Sequence, residues 1–540
     1  MSRSGFSDRD FRLIGGIGMV NGFKFAVNSQ EMKIYDRNTS EHFGVATEVL
    51  MERASLAVAD VVDEWRNKRE AKRTYRALVM AGVGNNGGDG VCVARLLKQR
   101  GYVVNLCVVG DPTKCSELLL KQLEIAENYG IHKDTFSNIS CNKSEADFDI
   151  IVDGLFGIGL SRPVTGEYLD AVNYINSCKR QRDTDMFLVS IDIASGISAD
   201  DGRICGAAVR ADATVTFNQA KIGHIMYPGC EYTGKLFVKD VGITEDSFLS
   251  KEPGAIYYDG SAKALLPERD PSGNKGTYGK VLIIAGSKDI SGACILCAGA
   301  CLKAGAGMVR VFTASENAEA VKALLPEAIL DTYDNFEPVG DKLMTAMKWS
   351  TQAVIGPGIG TEGKGRELIT DVLTFYDKSL IMDADALNLI AEDEQLFKLA
   401  ANFGRDGKRL IITPHMGEFA RLFGSDIRDC KEHITQYPFE LAKKLHCSVI
   451  CKDARSVVAD MDSKKIYINV SGNDGMATAG SGDVLAGILG AFLSYGMDGF
   501  ETAIAGAYIH GRAGDVAAKE IGKHSVVASD IATSLPEVLR

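Results

Sequence analysis

Short apolar runs alternate with amphipathic stretches through the first half of the chain. The apolar runs are RALVMAG, YVVNLCVVG, FDIIVDGLFG, FLVSIDIASG, DATVTFN and KLFVKD. The stretches between them, such as GVCVARLLKQRG and SELLLKQLEIAENYG, carry apolar residues at the spacing of one helix face. Apolar strands separated by helices predict a mostly parallel sheet that is covered by helices on both faces.

A second series with the same alternation begins near Lys280. Its apolar runs are KVLIIAGS, GMVRVFT, QAVIGPGIG, SLIMDAD, RLIITPH, CSVICKD and SVVADM. A polar, proline-containing stretch, TEDSFLSKEPGA, separates the two series, and no internal repeat relates them. The sequence therefore predicts two different α/β domains with a boundary near Ser250, each binding ligands at the carboxyl ends of its strands.

Composition narrows the class of protein. A hydrophobic content of 46%, a charged content of 24% and a net charge of -11 are typical of a soluble globular chain and indicate no nucleic-acid or membrane partner. No apolar run reaches the ~18–20 residues of a membrane helix, and the N-terminal residues fit neither a secretory signal nor a transit peptide. The 13 cysteines are scattered through apolar segments, as reduced thiols are, so we expect a cytoplasmic protein.

One cysteine cluster allows two interpretations. The stretch CILCAGAC contains Cys294, Cys297 and Cys301. A CxxC pair is used by metal and redox sites, but no second pair of ligands follows at zinc spacing. The same spacing places all three thiols on one face of a helix, and we predict a packed helix face.

Glycine-rich loops carry the candidate chemistry of the first half. GNNGGDG, residues 84–90, follows a predicted strand and precedes a helix, but it is neither a GxGxxG fingerprint nor a Walker A loop. Alone, it is compatible with a ligand site or with a simple turn. Asp153 and Asp192 end two further strands, with Ser195 close behind. These oxygens could cap turns, or they could hold a hard cation beside a general base.

These stretches, together with NSQEMKIYDRN and LMERA, resemble the NAD(P)H-hydrate epimerase domain over residues 26–248. The resemblance implies a Rossmann-like three-layer α/β domain with K⁺ ligands at Asn86, Asp153 and Ser195. It implies acid–base work by Asp192 at C6 of the hydrated nicotinamide ring, and it leaves a role for Lys143 open. It implies substrate contacts at Asp192 and at two loops: Asn85, Asn86, Gly87, Gly88, Asp89, Gly157, Ile158, Gly159, Leu160, Ser161, Arg162 and Pro163.

In the second half, ATAGSGDVLAG spans Ala477–Gly487 and predicts a small-residue loop before a helix from about Gly482. Amides of residues 479–482 would face an anion, aided by the helix dipole. Asp483 could merely cap the helix, or it could take a proton from a hydroxyl while the amides stabilise a phosphoryl group.

Other strand ends fit a phosphate-transfer site. GPGIG follows one strand, DADALNL places Asp383 and Asp385 at another, and TPHMGEFARL places His415 and Glu418 around a helix start. His415 could equally be structural. The two acids stand where a metal-bound nucleotide would be handled.

With KGTYGKVLIIAGS, these motifs resemble the ribokinase-like fold, and more closely the ADP/ATP-dependent NAD(P)H-hydrate dehydratase family, over residues 255–537. The resemblance implies Mg²⁺ with ADP or ATP, and substrate contacts at Ala293, Gly360, His415 and Asp483. It implies nucleotide contacts at Lys452, Asp453, Ala454, Arg455, Ser456 and Gly482. Asp453 departs from the family's usual glycine and leaves the preference between ADP and ATP open.

We therefore predict an α/β chain made of an extension (1–25), an epimerase domain (26–248), a linker (249–254) and a dehydratase domain (255–540). The first domain would interconvert the R and S forms of hydrated NADH or NADPH, and the second would dehydrate the S form. We also expect a homo-oligomer. The alternative is a ribokinase-like vitamin kinase fused to a nucleotide-binding or scaffold domain.

Overall fold

The computed structural model describes residues 13–14, 17–18, 22–69, 74–141, 148–182, 186–334 and 337–540. Lys143 and most of the predicted extension lie outside these residues. The chain divides into two compact units, Phe25–Gly254 and a second unit of Ala255–Arg540 with Met1–Lys24. The segment 249–254 falls in the first unit, where Tyr35 Oη donates to Lys251 O and Gly254 N donates to Glu31. Strands β1 (Leu13–Ile14) and β2 (Ile17–Gly18) form an antiparallel pair.

Nine strands of the described residues belong to the first unit, and the first of them starts two residues before it. They are β3 (Phe23–Val27), β4 (Arg76–Ala81), β5 (Val103–Val108), β6 (Lys133–Thr135), β7 (Ile150–Gly154), β8 (Phe187–Ile191), β9 (Ala213–Phe217), β10 (Ala220–Lys221) and β11 (Lys235–Lys239). Within the described residues, seven of these strands form one sheet. Its order is β11-β9-β8-β7-β4-β5-β6, and every pairing in it is parallel. β10 pairs separately with β3, also in parallel. The predicted parallel sheet is confirmed.

Helices connect these strands: α1 (Ser29–Arg37), a π-helical turn (Asn38–His42), α2 (Thr47–Asn67), α3 (Asn85–Gln99), α4 (Glu117–Asn128), α5 (Phe136–Cys141), α6 (Glu167–Arg182), α7 (Ile222–Ile225) and α8 (Gly229–Thr233). The buried positions of α2 recur at three- and four-residue spacing, which is why its sequence predicts one apolar face. The central strands β7, β8 and β9 are buried along their whole length. Functional groups of this sheet therefore lie where its strands end.

Ten strands of the second unit follow the order β12-β21-β20-β19-β18-β17-β16-β13-β14-β15 within the described residues. Only the pairings on either side of β20 are antiparallel there. The strands are β12 (Ala255–Tyr258), β13 (Lys280–Ile284), β14 (Met308–Ala314), β15 (Ile329–Tyr333), β16 (Gln352–Ile355), β17 (Ser379–Met382), β18 (Leu410–Ile412), β19 (Ser448–Cys451), β20 (Val457–Asp460) and β21 (Ile466–Ile468).

The helices of the second unit include a long C-terminal pair, α19 and α20. In chain order they are α9 (Gly292–Lys303), α10 (Ala318–Leu324), α11 (Gly340–Trp349), α12 (Lys364–Phe375), α13 (Asp385–Glu392), α14 (Glu394–Arg405), α15 (Met416–Phe423), α16 (Ile427–Glu432), α17 (Tyr437–Leu445), α18 (Ser481–Leu493), α19 (Gly499–Ile521) and α20 (Ala528–Val538). α18 begins one residue before the predicted start.

Helices α9 and α18 pack closely against each other. Cys294, Cys297 and Cys301 on α9 are fully buried free thiols, so the predicted packed helix face is confirmed. A Cβ added at Gly487 of α18 would lie 2.1 Å from the carbonyl oxygen of Cys297. The small residue allows the two backbones to approach. This contact positions the helix that begins at Ser481 and, with it, the loop that precedes the helix.

Candidate active sites

A cavity of about 830 Å³ opens at the carboxyl ends of the first unit's strands. It brings together most of the predicted substrate contacts: Asn85, Asn86, Asp89, Gly157, Ile158, Gly159, Leu160, Ser161, Arg162 and Asp192. Gly87, Gly88 and Pro163 do not line it. A Cβ at Gly87 would lie 1.8 Å from the oxygen of Gly82, and one at Gly88 would lie 2.8 Å from Met51 Cε. These two glycines therefore allow α3 to pack closely against its neighbours.

Asp153 lies at the end of β7 and is completely buried. Its carboxylate accepts hydrogen bonds from Ser190 Oγ at 2.8 Å, from Ser195 N at 2.9 Å and from Ser195 Oγ at 2.6 Å. Burial raises the pKa of Asp153, and these donors oppose that rise. Asp153 and Ser195 therefore form one buried oxygen cluster behind the cavity.

Asn86 stands in the first turn of α3, with its side chain against Gly157. Its Nδ2 is buried and has no hydrogen-bond partner within the described residues. A Cβ at Gly157 would lie 3.2 Å from Asn86 Oδ1. Buried amide groups are almost always paired, so an unpaired one in a lined cavity points to a missing polar ligand.

Asp192 follows β8 and has a backbone φ of 63°, a conformation uncommon outside glycine. Its Oδ1 lies 2.5 Å from Lys221 Nζ and accepts from Thr216 Oγ1 at 3.0 Å. Lys221 is fully buried, and its ammonium also donates to Thr216 Oγ1 at 2.8 Å. A buried ion pair therefore forms one wall of the cavity.

Two further carboxyl groups, Asp36 and Asp89, line the same cavity. Desolvation in the cavity and the charge of Asp192 raise the pKa of both groups, and the pKa of Asp89 rises well above its ordinary value, whereas Asp36 remains exposed to solvent. Burial and the charge of Lys221 lower the pKa of His224 to about 3, so this imidazole is neutral. Its Nδ1 accepts from Lys221 N at 3.0 Å.

Sequence reasoning missed Lys221 and Asp36. Lys221 stands in the stretch FNQAKIGHI, where a lysine between apolar residues was the available signal. A lysine is almost never fully buried unless it is paired, but its partner lies 29 residues away and the pairing depends on the fold. Asp36 belongs to the quoted motif NSQEMKIYDRN, without any distinguishing feature.

The second site is built around the N-terminus of α18. Gly480 precedes the helix with φ 86°, and Asp483 lies in its first turn. Burial, and then the charge of Asp383, raise the pKa of Asp483 to about 7. A carboxyl group that titrates near neutrality can act as a general base. The arrangement therefore places a carboxyl group of raised pKa in the first turn of a helix, where backbone amides favour anions.

A second lysine, Lys452, whose side chain is 21% exposed, lies beneath this turn. Lys452 Nζ is 2.8 Å from Asp383 Oδ1, and a Cβ added at Gly482 would lie 3.2 Å from that ammonium. Burial lowers the pKa of Lys452, but the charges of Asp383 and Glu418 outweigh burial and raise it. The positive charge thus faces the anion-binding turn. The other residues of the predicted nucleotide segment, 453–456, make contacts elsewhere.

Asp453 and Ala454 are exposed, whereas Arg455 NH1 donates to Val470 O at 2.9 Å. Asp453 Oδ2 lies 3.1 Å from Lys431 Nζ. The charge of Asp453 is therefore neutralised locally. Ser456 starts the turn into β20, and its carbonyl accepts from Asn469 N at 2.9 Å.

His415 caps α15 and is more exposed than its neighbours. Its Nδ1 accepts from Gly417 N at 3.0 Å, and its own N donates to Glu418 Oε2 at 2.8 Å. Burial, with Lys452 and Arg421, lowers the pKa of His415. Burial raises the pKa of Glu418 to about 7. The histidine therefore has a clear structural role, and one edge of its ring remains exposed.

The GPGIG loop separates two predicted alternatives. A Cβ at Gly358 would lie 3.0 Å from Ala293 Cβ, so Gly358 packs against the start of α9. Gly360 has φ 83° and open space around it, and its N–H donates to Asp385 Oδ2 at 2.9 Å. Gly360 is thus the more open of the two, and Ala293 is buried behind Gly358.

In the described part of the chain, no group of three or more His, Cys, Asp or Glu side chains could hold a metal ion. None of its helices is long and apolar enough to cross a membrane.

Comparisons with known proteins follow the same division of the chain. Residues 281–537 match a family model described as NAD(P)H-hydrate dehydratase, and residues 47–223 match one described as YjeF-related protein N-terminus. A dehydratase from Bacillus subtilis, ADP/ATP-dependent and crystallised with ATP and Mg²⁺, is similar at 27% identity and a TM-score of 0.44. That similarity covers 51% of this chain and 94% of that one.

Full-length relatives unite the two halves. The chain is 35% identical over 528 residues to the bifunctional NAD(P)H-hydrate repair enzyme of Thermofilum pendens. The matched region covers 94% of this chain and 95% of the relative. The chain is 34% identical over 509 residues to the repair enzyme of Escherichia coli, covering 93% and 92%. The two units and their sites define a two-domain α/β enzyme. The chain belongs to the family of bifunctional NAD(P)H-hydrate repair enzymes.

Proposed function

We propose that the chain repairs hydrated nicotinamide nucleotides through two activities. The first unit interconverts the R and S epimers of hydrated NADH and NADPH. The second unit dehydrates the S epimer to NAD(P)H at the expense of ADP or ATP. One observation carries the proposal: identity to repair enzymes of that name extends across both sites.

In the first unit, Asp192 is the acid–base group at C6 of the hydrated ring. Its support is its position on a cavity of about 830 Å³, a size typical of small-molecule sites. The loops 85–89 and 157–163 are proposed to bind the substrate. Gly87, Gly88 and Pro163 contribute through backbone shape, because they do not line the cavity.

The proposed K⁺ site consists of Asn86, Asp153 and Ser195. The Asn86 Oδ1, the Asp153 carboxylate and the Ser195 oxygens are the kind of ligand that hard cations take. Asn86 lines the cavity, and the last two groups meet at the carboxyl ends of the strands beside it. Bound K⁺ would supply a fixed positive charge beside the substrate. The chain's own residues keep the site dry and hold the carboxylate of Asp153 through its serine donors.

In the second unit, Asp483 takes the proton of the C6 hydroxyl as that oxygen attacks the terminal phosphate of the nucleotide. Phosphate then leaves C6 with the C6–O bonding pair while N1 donates its lone pair and forms an N1=C6 iminium ion, because phosphate is a far better leaving group than hydroxide. Loss of the C5 proton to water then forms the C5=C6 double bond and returns the electron pair to N1. Amides of residues 479–482 stabilise the transferring phosphoryl group. Ala293, Gly360 and His415 are proposed to contact the substrate, Ala293 through its packing against Gly358.

The nucleotide is proposed to lie along Lys452–Ser456 and against Gly482. The ammonium of Lys452, held by Asp383, adds positive charge beneath the phosphates. Mg²⁺ would enter with the nucleotide and neutralise phosphate charge, near Asp383 and Asp385. The Lys431–Asp453 pair limits repulsion between Asp453 and the phosphates.

The location and assembly of the chain are also proposed. Reduced cysteines fit a cytoplasmic repair enzyme, whose partners would be its nucleotide substrates and not nucleic acid or membranes. Self-association into a homo-oligomer stays a prediction. Light scattering during size-exclusion chromatography tests it, and a monomeric mass contradicts it.

The deciding experiment assays purified full-length protein with R and S hydrate, adding ADP and ATP in turn, and follows reduced-ring absorbance. We expect nucleotide-dependent recovery from both epimers. Asp483→Asn should lose dehydration by about 10²–10⁴-fold and keep epimerisation, whereas Asp192→Ala should block use of the R form only. A stable phosphorylated product without recovered NAD(P)H would support a kinase instead.

A further inference from the structure

One buried cation faces three carboxyl groups in the cavity of the first unit. Asp36 comes from α1, Asp89 from α3 and Asp192 from the end of β8, and all three line the cavity with Lys221. Among the described residues, Lys221 forms its ion pair with Asp192 alone, at 2.5 Å. The cavity therefore holds more carboxyl groups than buried positive charges, and the fold assigns the charge to one of them.

Burial makes this assignment strict. The side chain of Lys221 is 1% exposed and that of Asp192 is 13% exposed. Neutralising one partner of a buried ion pair leaves the other charge unpaired, which is strongly unfavourable. Asp192 and Lys221 therefore stabilise each other's charge in the buried pair. Burial and the negative charge of Asp192 raise the pKa of Asp89 well above its ordinary value, which favours the protonated form of this carboxyl group.

Other groups around Asp89 do not reverse this division. His224 is neutral and its Nδ1 is occupied by Lys221 N. Asp36 also raises the pKa of Asp89, but its side chain is exposed and solvent screens its charge. The remaining titratable groups of the lining are mostly exposed, so solvent screens their charges: Lys33, Asp111, Lys114, Arg162 and Tyr168.

The reaction proposed above needs such a division, and this inference rests on that proposed function. C6 of the hydrated ring is bonded both to a hydroxyl oxygen and to N1. Inversion at C6 requires that one of these bonds breaks and forms again from the opposite face. One group must remove a proton and another must deliver one.

We propose that Asp89 is the proton donor of epimerisation and Asp192 its base, and that Lys221 is the positioning residue that fixes these roles. Asp192 takes the hydroxyl proton while the C6–N1 bond breaks and its electron pair moves to N1. Asp89 protonates N1, leaving an open-chain aldehyde. After rotation about C5–C6, N1 attacks the other face, its proton returns to Asp89, and Asp192 returns its proton to oxygen.

The first test uses full-length protein without nucleotide, so that dehydration does not consume the epimers. R hydrate of NADPH is supplied, and the two epimers are separated by chromatography. Asp89→Asn keeps the size of the side chain but cannot transfer a proton. We expect kcat to fall by about 100-fold or more, with KM changed less than about threefold. An unchanged kcat, or a change in KM alone, overturns the proposal.

The second test measures the pH profile of Lys221→Met. Without its cation, Asp192 should protonate more readily, so activity should fall about tenfold or more at neutral pH and recover at high pH. Lys179→Met is a matched control, because Lys179 pairs with Asp212 at 2.8 Å away from the cavity and should leave the profile in place. An unshifted profile in Lys221→Met contradicts its positioning role.

Folding of the Lys221→Met variant has its own control. The double variant Lys221→Met/Asp192→Asn removes both charges and should regain thermal stability without activity. If Lys221→Met does not fold, Thr216→Val removes only the hydroxyl that links the pair and should shift the profile in the same direction, by less. Thr216→Val with a wild-type profile also counts against the proposal.

The two proposals fail differently. Wild-type protein that does not epimerise R hydrate above the spontaneous rate refutes the proposed function. Wild-type protein that epimerises, with Asp89→Asn equally fast, refutes only the assignment of the acid.

Discussion

Asp483 combines two demands that oppose each other. A general base must be ionised, yet this carboxyl group is partly buried and lies near Asp383 and Asp385. Burial and these two acids raise its pKa to about 7, and only Lys452 opposes them. The site therefore holds a base that is strong enough to take a hydroxyl proton and is ionised only near neutral pH and above.

This balance predicts the pH dependence of dehydration. Asp483 must be unprotonated to accept the proton, so kcat/KM should fall by up to tenfold per unit as the pH drops below about 7 and should level off above it. The measurement uses S hydrate at fixed nucleotide between pH 5.5 and 9. Burial also raises the pKa of Glu418 to about 7, so Glu418→Gln is the control. If the fall in kcat/KM below about pH 7 persists in Glu418→Gln, it is due to Asp483. A flat wild-type profile contradicts the assignment.

The same shift predicts a stability cost. A carboxyl group whose pKa is 3.8 when unfolded and about 7 when folded stabilises the fold only in its protonated form, and that contribution is lost as pH rises toward about 7. Asp483→Asn should therefore raise the free energy of unfolding at pH 8 by on the order of 1–3 kcal/mol. Calorimetry without ligand should show a smaller gain at pH 5.5. A gain independent of pH would point to packing instead.

At the scale of elements, long apolar runs predicted the strands that carry the sites, including those that end at Asp153, Asp192 and Asp383. Short strands such as β10 and β21 escaped because two or three residues carry no periodicity. The motifs identified 10 of the 29 residues that line the first cavity. They could not identify the Lys221–Asp192 pair, because burial of a lysine depends on partners that only the fold brings together.

The contact between α9 and α18 yields a stability prediction. A methyl group at Gly487 would meet the Cys297 carbonyl at 2.1 Å, so Gly487→Ala should separate the helices and lower the free energy of unfolding by about 2–3 kcal/mol. Dehydration should fall too, because α18 carries Asp483. Gly340→Ala is the matched control, since nothing lies within 4 Å of that added atom. Equal stabilities of the two variants would contradict the close packing.

At the scale of the whole molecule, the chain carries a net charge of -11 but is proposed to bind anionic dinucleotides. Basic side chains at the two sites resolve this conflict locally. Lys33, Lys114 and Arg162 line the first cavity, and Lys452 lies beneath the second site's turn. The chain divides into two compact units, and each proposed site draws its residues from one of them. Each reaction can therefore be removed without removing the other.

This separation predicts complementation between two inactive variants. Asp192→Ala cannot use the R epimer, and Asp483→Asn cannot dehydrate the S epimer. The S hydrate made by one protein is a free solute, so a mixture of both should recover NAD(P)H from R hydrate at a rate that rises with the concentration of Asp483→Asn. Asp192→Ala alone, with nucleotide present, measures the background from spontaneous epimerisation, because it still dehydrates the S hydrate that forms without catalysis. A mixture no faster than Asp192→Ala alone would mean that the epimers do not pass between the two sites through solution.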